Sequence, residues 1–183
     1  MLVSLETFAQ RGDADQEGSK EENQKPNKGK REEALTQYAE LARTRKWAII
    51  IKQVNVSRYN TSDLIDVDPK LNFITVKDED ITTQLNFDYN ISKRIGESRN
   101  DRVESTDFGN IEDYIIKLSK NSVLINVRYK NIAEGGEDRK QIVIGSAGWA
   151  RTEFETRYGR YTIAGQLIPL DQAYIHLTGV KIK

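Results

Sequence analysis

Proton transfer near neutral pH usually falls to histidine, and this chain of 183 residues has one, His176. It lies in Tyr174–Ile182, whose alternation reads as a strand carrying Tyr174, His176, Thr178, Val180 and Ile182 on one face. A lone histidine in such a row more often packs or meets solvent than catalyses. Carboxylates gather twice, at Asp63, Asp66 and Asp68 and again at Asp78, Glu79 and Asp80. Hard cations need several oxygen ligands, and the first group lacks the central glycine and distal glutamate of an EF-hand loop. Both groups read as solvated turn acids. Cysteine is absent, which excludes disulfides, thiolate nucleophiles and cysteine-ligated zinc. No Gly-x-Ser-x-Gly elbow, phosphate loop or dinucleotide fingerprint appears. The expectation is a protein that is not an enzyme and holds neither cofactor nor metal.

Four short motifs invite a functional reading that their context does not support. Asp138-Arg139-Lys140 at a strand start has the Asp-x-Lys order of metal-dependent nucleases, but no further acid can be placed beside it. Asp107-Phe108-Gly109 occurs in protein kinases, yet no glycine-rich loop, strand lysine or catalytic-loop motif accompanies it. Arg11-Gly12-Asp13 and three Asn-x-Ser triplets, at Asn55, Asn60 and Asn90, would matter in a secreted protein. The N-terminus has no basic region, and Glu6 interrupts its apolar stretch, so no signal peptide is expected. No stretch approaches the roughly 20 apolar residues of a membrane span.

One cluster has the composition of a nucleic-acid surface. Arg151, Phe154, Arg157, Tyr158, Arg160 and Tyr161 interleave cations with aromatics, as single-strand platforms do, and Arg128, Tyr129 and Lys130 extend the pattern. Glu153 and Glu155 lie inside it, and 28 basic against 28 acidic side chains leave no global field to recruit nucleic acid. The same residues fit a hairpin with aromatics inward and arginines outward.

The chain must position these groups with strands. Its organising stretch is Trp47–Val56, an apolar, β-branched run in which Ile49, Ile50 and Ile51 are consecutive, so a central strand covered on both faces is expected. A turn-rich connection, Tyr59–Lys70, follows, then a strand at Leu71–Lys77. In Gln84–Ile91, Leu85, Phe87, Tyr89 and Ile91 oppose polar neighbours. Residues 92–106 read as a long polar loop. Val123, Ile125, Val127 and Tyr129 alternate ahead of the glycine turn at 135–136 and a strand at Lys140–Ile144. Phe154–Ile163, Gln166–Leu170 and Tyr174–Ile182 complete the strands. Two helices are expected. Residues 32–46 carry a stripe of Leu35, Tyr38, Ala39 and Ala42, and residues 110–120 one of Ile111, Tyr114, Ile115 and Leu118. The fold class is therefore mainly β (α+β), an antiparallel sandwich or barrel of about eight strands with two short helices.

Residues 32–183 form the expected domain, and residues 1–31 an N-terminal arm. The arm's tip carries Leu2, Val3, Leu5 and Phe8, while residues 11–31 are almost devoid of apolar side chains. A sticky tip on a polar leash suits docking to a neighbouring subunit. The expected function is a structural or interaction subunit of a larger homo-oligomeric or multi-protein assembly, such as a virion or phage-particle component. The alternative is an OB-like single-stranded nucleic-acid-binding module using Arg151, Arg157, Tyr158, Arg160 and Tyr161.

Overall fold

Where apolar residues recur at every second position the chain pairs into strands, and where they recur at i, i+3, i+4 and i+7 near the N-terminus it coils. The computed structural model describes residues 25–58, 61–90, 100–132, 135–156 and 159–177. Helix α1 (Lys25–Arg43) is followed by β1 (Lys46–Arg58), β2 (Thr61–Asp66), β3 (Phe73–Lys77), β4 (Asp80–Asn90) and β5 (Asn100–Leu118). Then come β6 (Ser122–Asn131), β7 (Gly136–Gly145), β8 (Trp149–Thr156), β9 (Gly159–Pro169) and a short 3-10 turn at Leu170–Gln172. Every pairing is antiparallel. Strands β1, β3, β4, β5, β6, β7, β8 and β9 pair in that order, and β9 returns to β1, so eight strands close a barrel. Closure gives each of these strands two neighbours, although the β7–β8 ladder covers only part of their length.

The barrel is not uniform along its axis. At one end β3 bridges β1 and β4 through Phe73–Lys77, and β7 pairs with β8 through Ile142–Ile144. At the other end β2 has taken the place of β3 on β1, and no ladder among the described residues joins β2 to β4. There the wall becomes two layers, β4-β5-β6-β7 and β8-β9-β1-β2. The protein is a barrel at one end and a sandwich at the other.

Helix α1 covers the barrel end. Leu35, Ala39 and Ala42 are buried, and they join Trp47, Ile49, Val76, Val123, Ile125 and Ile144 in one core. Trp47 Nε1 donates to Tyr114 Oη (2.8 Å), and Tyr114 Oη donates to the Ala42 carbonyl (2.9 Å). This chain ties strand, wall and helix together with each polar group satisfied. Arg45, in a left-handed conformation (φ 51°), turns the chain from helix into β1 and lays its guanidinium over the Tyr114 ring.

The structure corrects several sequence expectations. Residues 110–120 are not a helix: 110–118 are the second half of β5, and 119–120 lead into β6. A bulge between Ile111 and Asp113 shifts the inward set to Ile111, Tyr114 and Ile116, so a strand acquires the i, i+3 spacing of a helix. The Tyr59–Lys70 connection contains β2, and β5 begins at Asn100 inside the expected 92–106 loop, whose residues 92–99 lie outside the described set. Helix α1 starts at Lys25 rather than Glu32, shortening the arm, and ends at Arg43. Trp47, Ile49, Ile51, Val54 and Val56 face inward across a second bulge; on the outer face Ala48 is buried, Ile50 half-buried and Lys52 exposed, so the expected cover on both faces holds only at the start of β1. Phe154–Ile163 is divided between β8 and β9. Residues 173–177 are not a strand; they lie along the outer wall, where the His176 amide donates to the Lys70 carbonyl (2.8 Å) and Gln84 Nε2 donates to the His176 carbonyl (2.8 Å).

Candidate binding site

The site begins with a ladder that stops. Continuing the β7–β8 register beyond Ile142↔Thr152 would set Gln141 against Glu153 and Lys140 against Phe154, but pairing ends there. Residues 136–141 of β7 keep their partners on β6, and residues 153–156 of β8 keep theirs on β9. The two strands therefore present backbone edges to each other across a groove of about 400 Å³, lined by Arg139, Gln141, Val143, Arg151, Thr152, Glu153 and Thr162. Thr152 faces the interior as well, so the groove floor reaches the space between the two layers.

Inside that floor sits Lys140, only 6% exposed. Its Nζ lies 4.2 Å from the centroid of the Phe154 ring and 5.5 Å from that of Tyr129. Both ring faces carry negative charge density that favours a cation. Burial pulls the Lys140 ammonium down from 10.5 to about 8, against the opposing pull of Asp107 and Asp138. Asp138 is steadied by Asn131, whose Nδ2 donates to it (2.8 Å). Tyr129 fits because Gly109 stands opposite: a Cβ there would lie 2.1 Å from the Tyr129 ring. Phe87 meets Tyr161 edge to face at 6.0 Å across the two layers. The buried hydroxyls of Tyr161 and Thr83 have no hydrogen-bond partner.

Outside, three guanidiniums face the same wall. Arg139 and Arg151 line the groove, and Arg160 is exposed on β9 at its side. Trp149, 40% exposed, lies on the outer face of β8 two residues from Arg151, with Lys52 5.7 Å from its ring. Glu153 is the one acid in the groove lining. On the neighbouring strand Arg128 is already shared between Glu112 (3.4 Å) and Glu137 (3.6 Å).

The residues singled out in the sequence are only partly brought together. Arg151 and Arg160 share the outer wall, but Tyr161 and Phe154 point into the interior and cannot stack a base, while Arg157 and Tyr158 lie outside the described residues. Leu2, Val3, Leu5 and Phe8 lie outside them too. His176 is exposed against Tyr174, 5.1 Å between rings, and belongs to no metal-ligand cluster among the described residues. The turn acids are used locally: Asp68 accepts from the Lys70 amide (2.9 Å), Asp66 from Gln53 (3.1 Å) and Asp80 from Asn110 (2.9 Å). Among the described residues no three His, Cys, Asp or Glu side chains converge as metal ligands would. Sequence reading missed Trp149 as an exposed aromatic on this wall and Arg139 as a groove residue. The alternation along β7 and β8 was the signal that could have found both.

No family model and no curated protein matches the sequence. Among solved structures, the chain is similar to a DUF4251 family protein from Bacteroides eggerthii, with 14% identity and a TM-score of 0.56. The match covers 80% of this chain and 94% of that one. At that identity the likeness is one of fold alone.

Proposed function

We propose that this protein is a non-catalytic binding module whose β7–β8–β9 wall receives a single-stranded nucleic acid. The observation that carries the reading is the groove where pairing stops, with Arg139 and Arg151 in its lining and Arg160 and Trp149 on the same outer face. Guanidiniums meet phosphates and an exposed indole offers a stacking face, the two parts a single-strand platform needs. Glu153 in the groove and the balanced net charge keep the attraction local, so binding should be strongest at low salt. The test is fluorescence anisotropy of a labelled oligothymidylate at low ionic strength, with native protein and with Arg139→Gln/Arg151→Gln. Saturable binding that the double variant loses supports the reading; a flat titration of the native protein ends it.

A second reading makes the chain a subunit of a larger protein assembly, of which a virus particle is one example. It is favoured by the unpaired strand edges of residues 136–141 and 153–156, which could accept a strand from a partner. A native mass above that of one chain, lowered by substitutions in the groove, would support it.

A further inference from the structure

Charges of both signs line the β7–β8 groove, and the register sets their order along it. Val143 pairs with Arg151 inside the ladder. Two residues further along β7, the continued register sets Gln141 against Glu153, where pairing has stopped; two further still comes Arg139. Arg151 and Arg139 therefore stand at opposite ends of the groove, with the Glu153 carboxylate at the level between them. Val143 to Arg139 is four residues, roughly 13 Å along a strand.

The middle level offers acceptors. Gln141, Glu153 and both arginines are exposed, and no ion pair among the described residues joins Glu153 to either guanidinium. Gln141 Nε2 donates to Asn126 Oδ1 (3.2 Å), so the acceptor oxygen is the end of that amide left for the groove. An acid that only balanced the arginines would gain by closing on one of them. This acid stays apart, and it weakens their pull on phosphate without neutralising either. That arrangement has a use where a donor lies between two phosphates, as the edge of a base does. Guanine presents N1–H and N2–H side by side, matching the two oxygens of a carboxylate. Cytosine and adenine offer one amino group beside an acceptor, and thymine holds its N3–H between two carbonyl oxygens that a carboxylate repels. A single strand leaves these edges unpaired and readable.

We infer that the groove reads one base of the strand it receives, that Glu153 is the reading residue, and that the base is guanine, with one flanking phosphate toward Arg151 and the other toward Arg139. This rests on the nucleic-acid function proposed above and adds a sequence preference to it. Thymine is disfavoured at the same position, because it leaves the carboxylate facing carbonyl oxygens.

The experiment measures fluorescence anisotropy at low salt with labelled thymidine pentanucleotides whose central base is guanine, hypoxanthine, cytosine or thymine. Full-length native protein is compared with Glu153→Gln. The native protein is expected to bind the guanine pentamer about tenfold tighter than the all-thymine one, and hypoxanthine, which lacks the N2 amino group, should lose most of that gain. Glu153→Gln should bring the guanine-to-thymine ratio toward one while binding the all-thymine pentamer at least as tightly, since a charge that repels phosphate is gone. The ratio is the deciding quantity, because a folding defect lowers both affinities together. Equal native affinity for all the pentamers overturns the base reading and leaves a platform blind to sequence. A guanine preference that survives in Glu153→Gln overturns the assignment to Glu153, and one that hypoxanthine fully reproduces overturns the two-donor contact. No binding of any pentamer removes the nucleic-acid reading itself, and this inference with it.

Discussion

The two ends of this barrel contain the same kinds of residue and treat them in opposite ways. At the helix-covered end, the indole of Trp47, the phenol of Tyr114 and the carbonyl of Ala42 form a closed hydrogen-bond chain inside an apolar shell. At the split end, the Tyr161 hydroxyl is buried with no partner and a lysine ammonium lies between two rings. Burying a polar group is tolerable when it is bonded and expensive when it is not. The first end is thus built for stability. The second combines an unsatisfied hydroxyl and a buried ammonium with interrupted pairing, whereas at the first end the Thr83 hydroxyl, on the β3–β4 ladder, is the group left without a partner.

Substitutions should separate the ends. The largest effect falls on Trp47→Ala, which removes a fully buried ring and leaves the Tyr114 hydroxyl without its donor. A loss of about 3–5 kcal/mol is expected, read as a lower urea midpoint.

Lys140 should show its strain through pH. Its native pKa of about 8 lies below the 10.5 of the unfolded chain, so between those values the unfolded state binds more protons and stability rises with pH. The gain across that window is roughly 3 kcal/mol at most, taking about 1.4 kcal/mol per unit. Lys140→Met should flatten the rise and equal or exceed the native protein in stability at pH 7. The opposite sign belongs to Tyr114, whose phenol burial pushes up to about 12, despite the Trp47 bond and Arg45. Stability should therefore decline above pH 10, and Tyr114→Phe should remove that decline. Urea unfolding at pH 7, 8, 9, 10 and 11 checks both signs.

One chemical change made at each end gives a sharper contrast. Tyr114→Phe strands the Trp47 donor and the Ala42 acceptor, and should cost about 1–3 kcal/mol at pH 7. Tyr161→Phe deletes a hydroxyl that has no partner, and should be neutral or stabilise by up to about 1 kcal/mol. Equal losses from the two would show that the ends do not differ as described. The smallest effect is expected at the exposed Lys46–Asp78 ion pair (3.7 Å). Asp78→Asn should move stability by less than about 0.5 kcal/mol, since asparagine also tolerates the φ of 56° there.

Several of these features were legible before folding. The alternation of Val123, Ile125, Val127 and Tyr129 became the inward row of β6, and Leu35, Ala39 and Ala42 became the buried stripe of α1. The mainly-β, sandwich-or-barrel class was equally visible. The candidate site was legible only in fragments. Arg151 and Arg160 were named, and of the two placements open for Tyr161 the inward-facing hairpin is the one the fold adopts, while Lys140 was read as a strand start and part of an Asp-x-Lys triplet and not as a buried cation.

Sequence alone determined the period of each segment, because period follows from backbone geometry and the side chains immediately along the chain. It could not determine where a bulge would add a residue, as at Glu112, since a bulge is defined by what the partner strand does. Nor could it show that β7 and β8 part below Ile142, or that Asp107 and Asp138 would flank one buried lysine. Those facts depend on which strands become neighbours and in what register, and so on contacts between residues far apart in the chain. The tertiary structure decided them, and with them where a partner could bind.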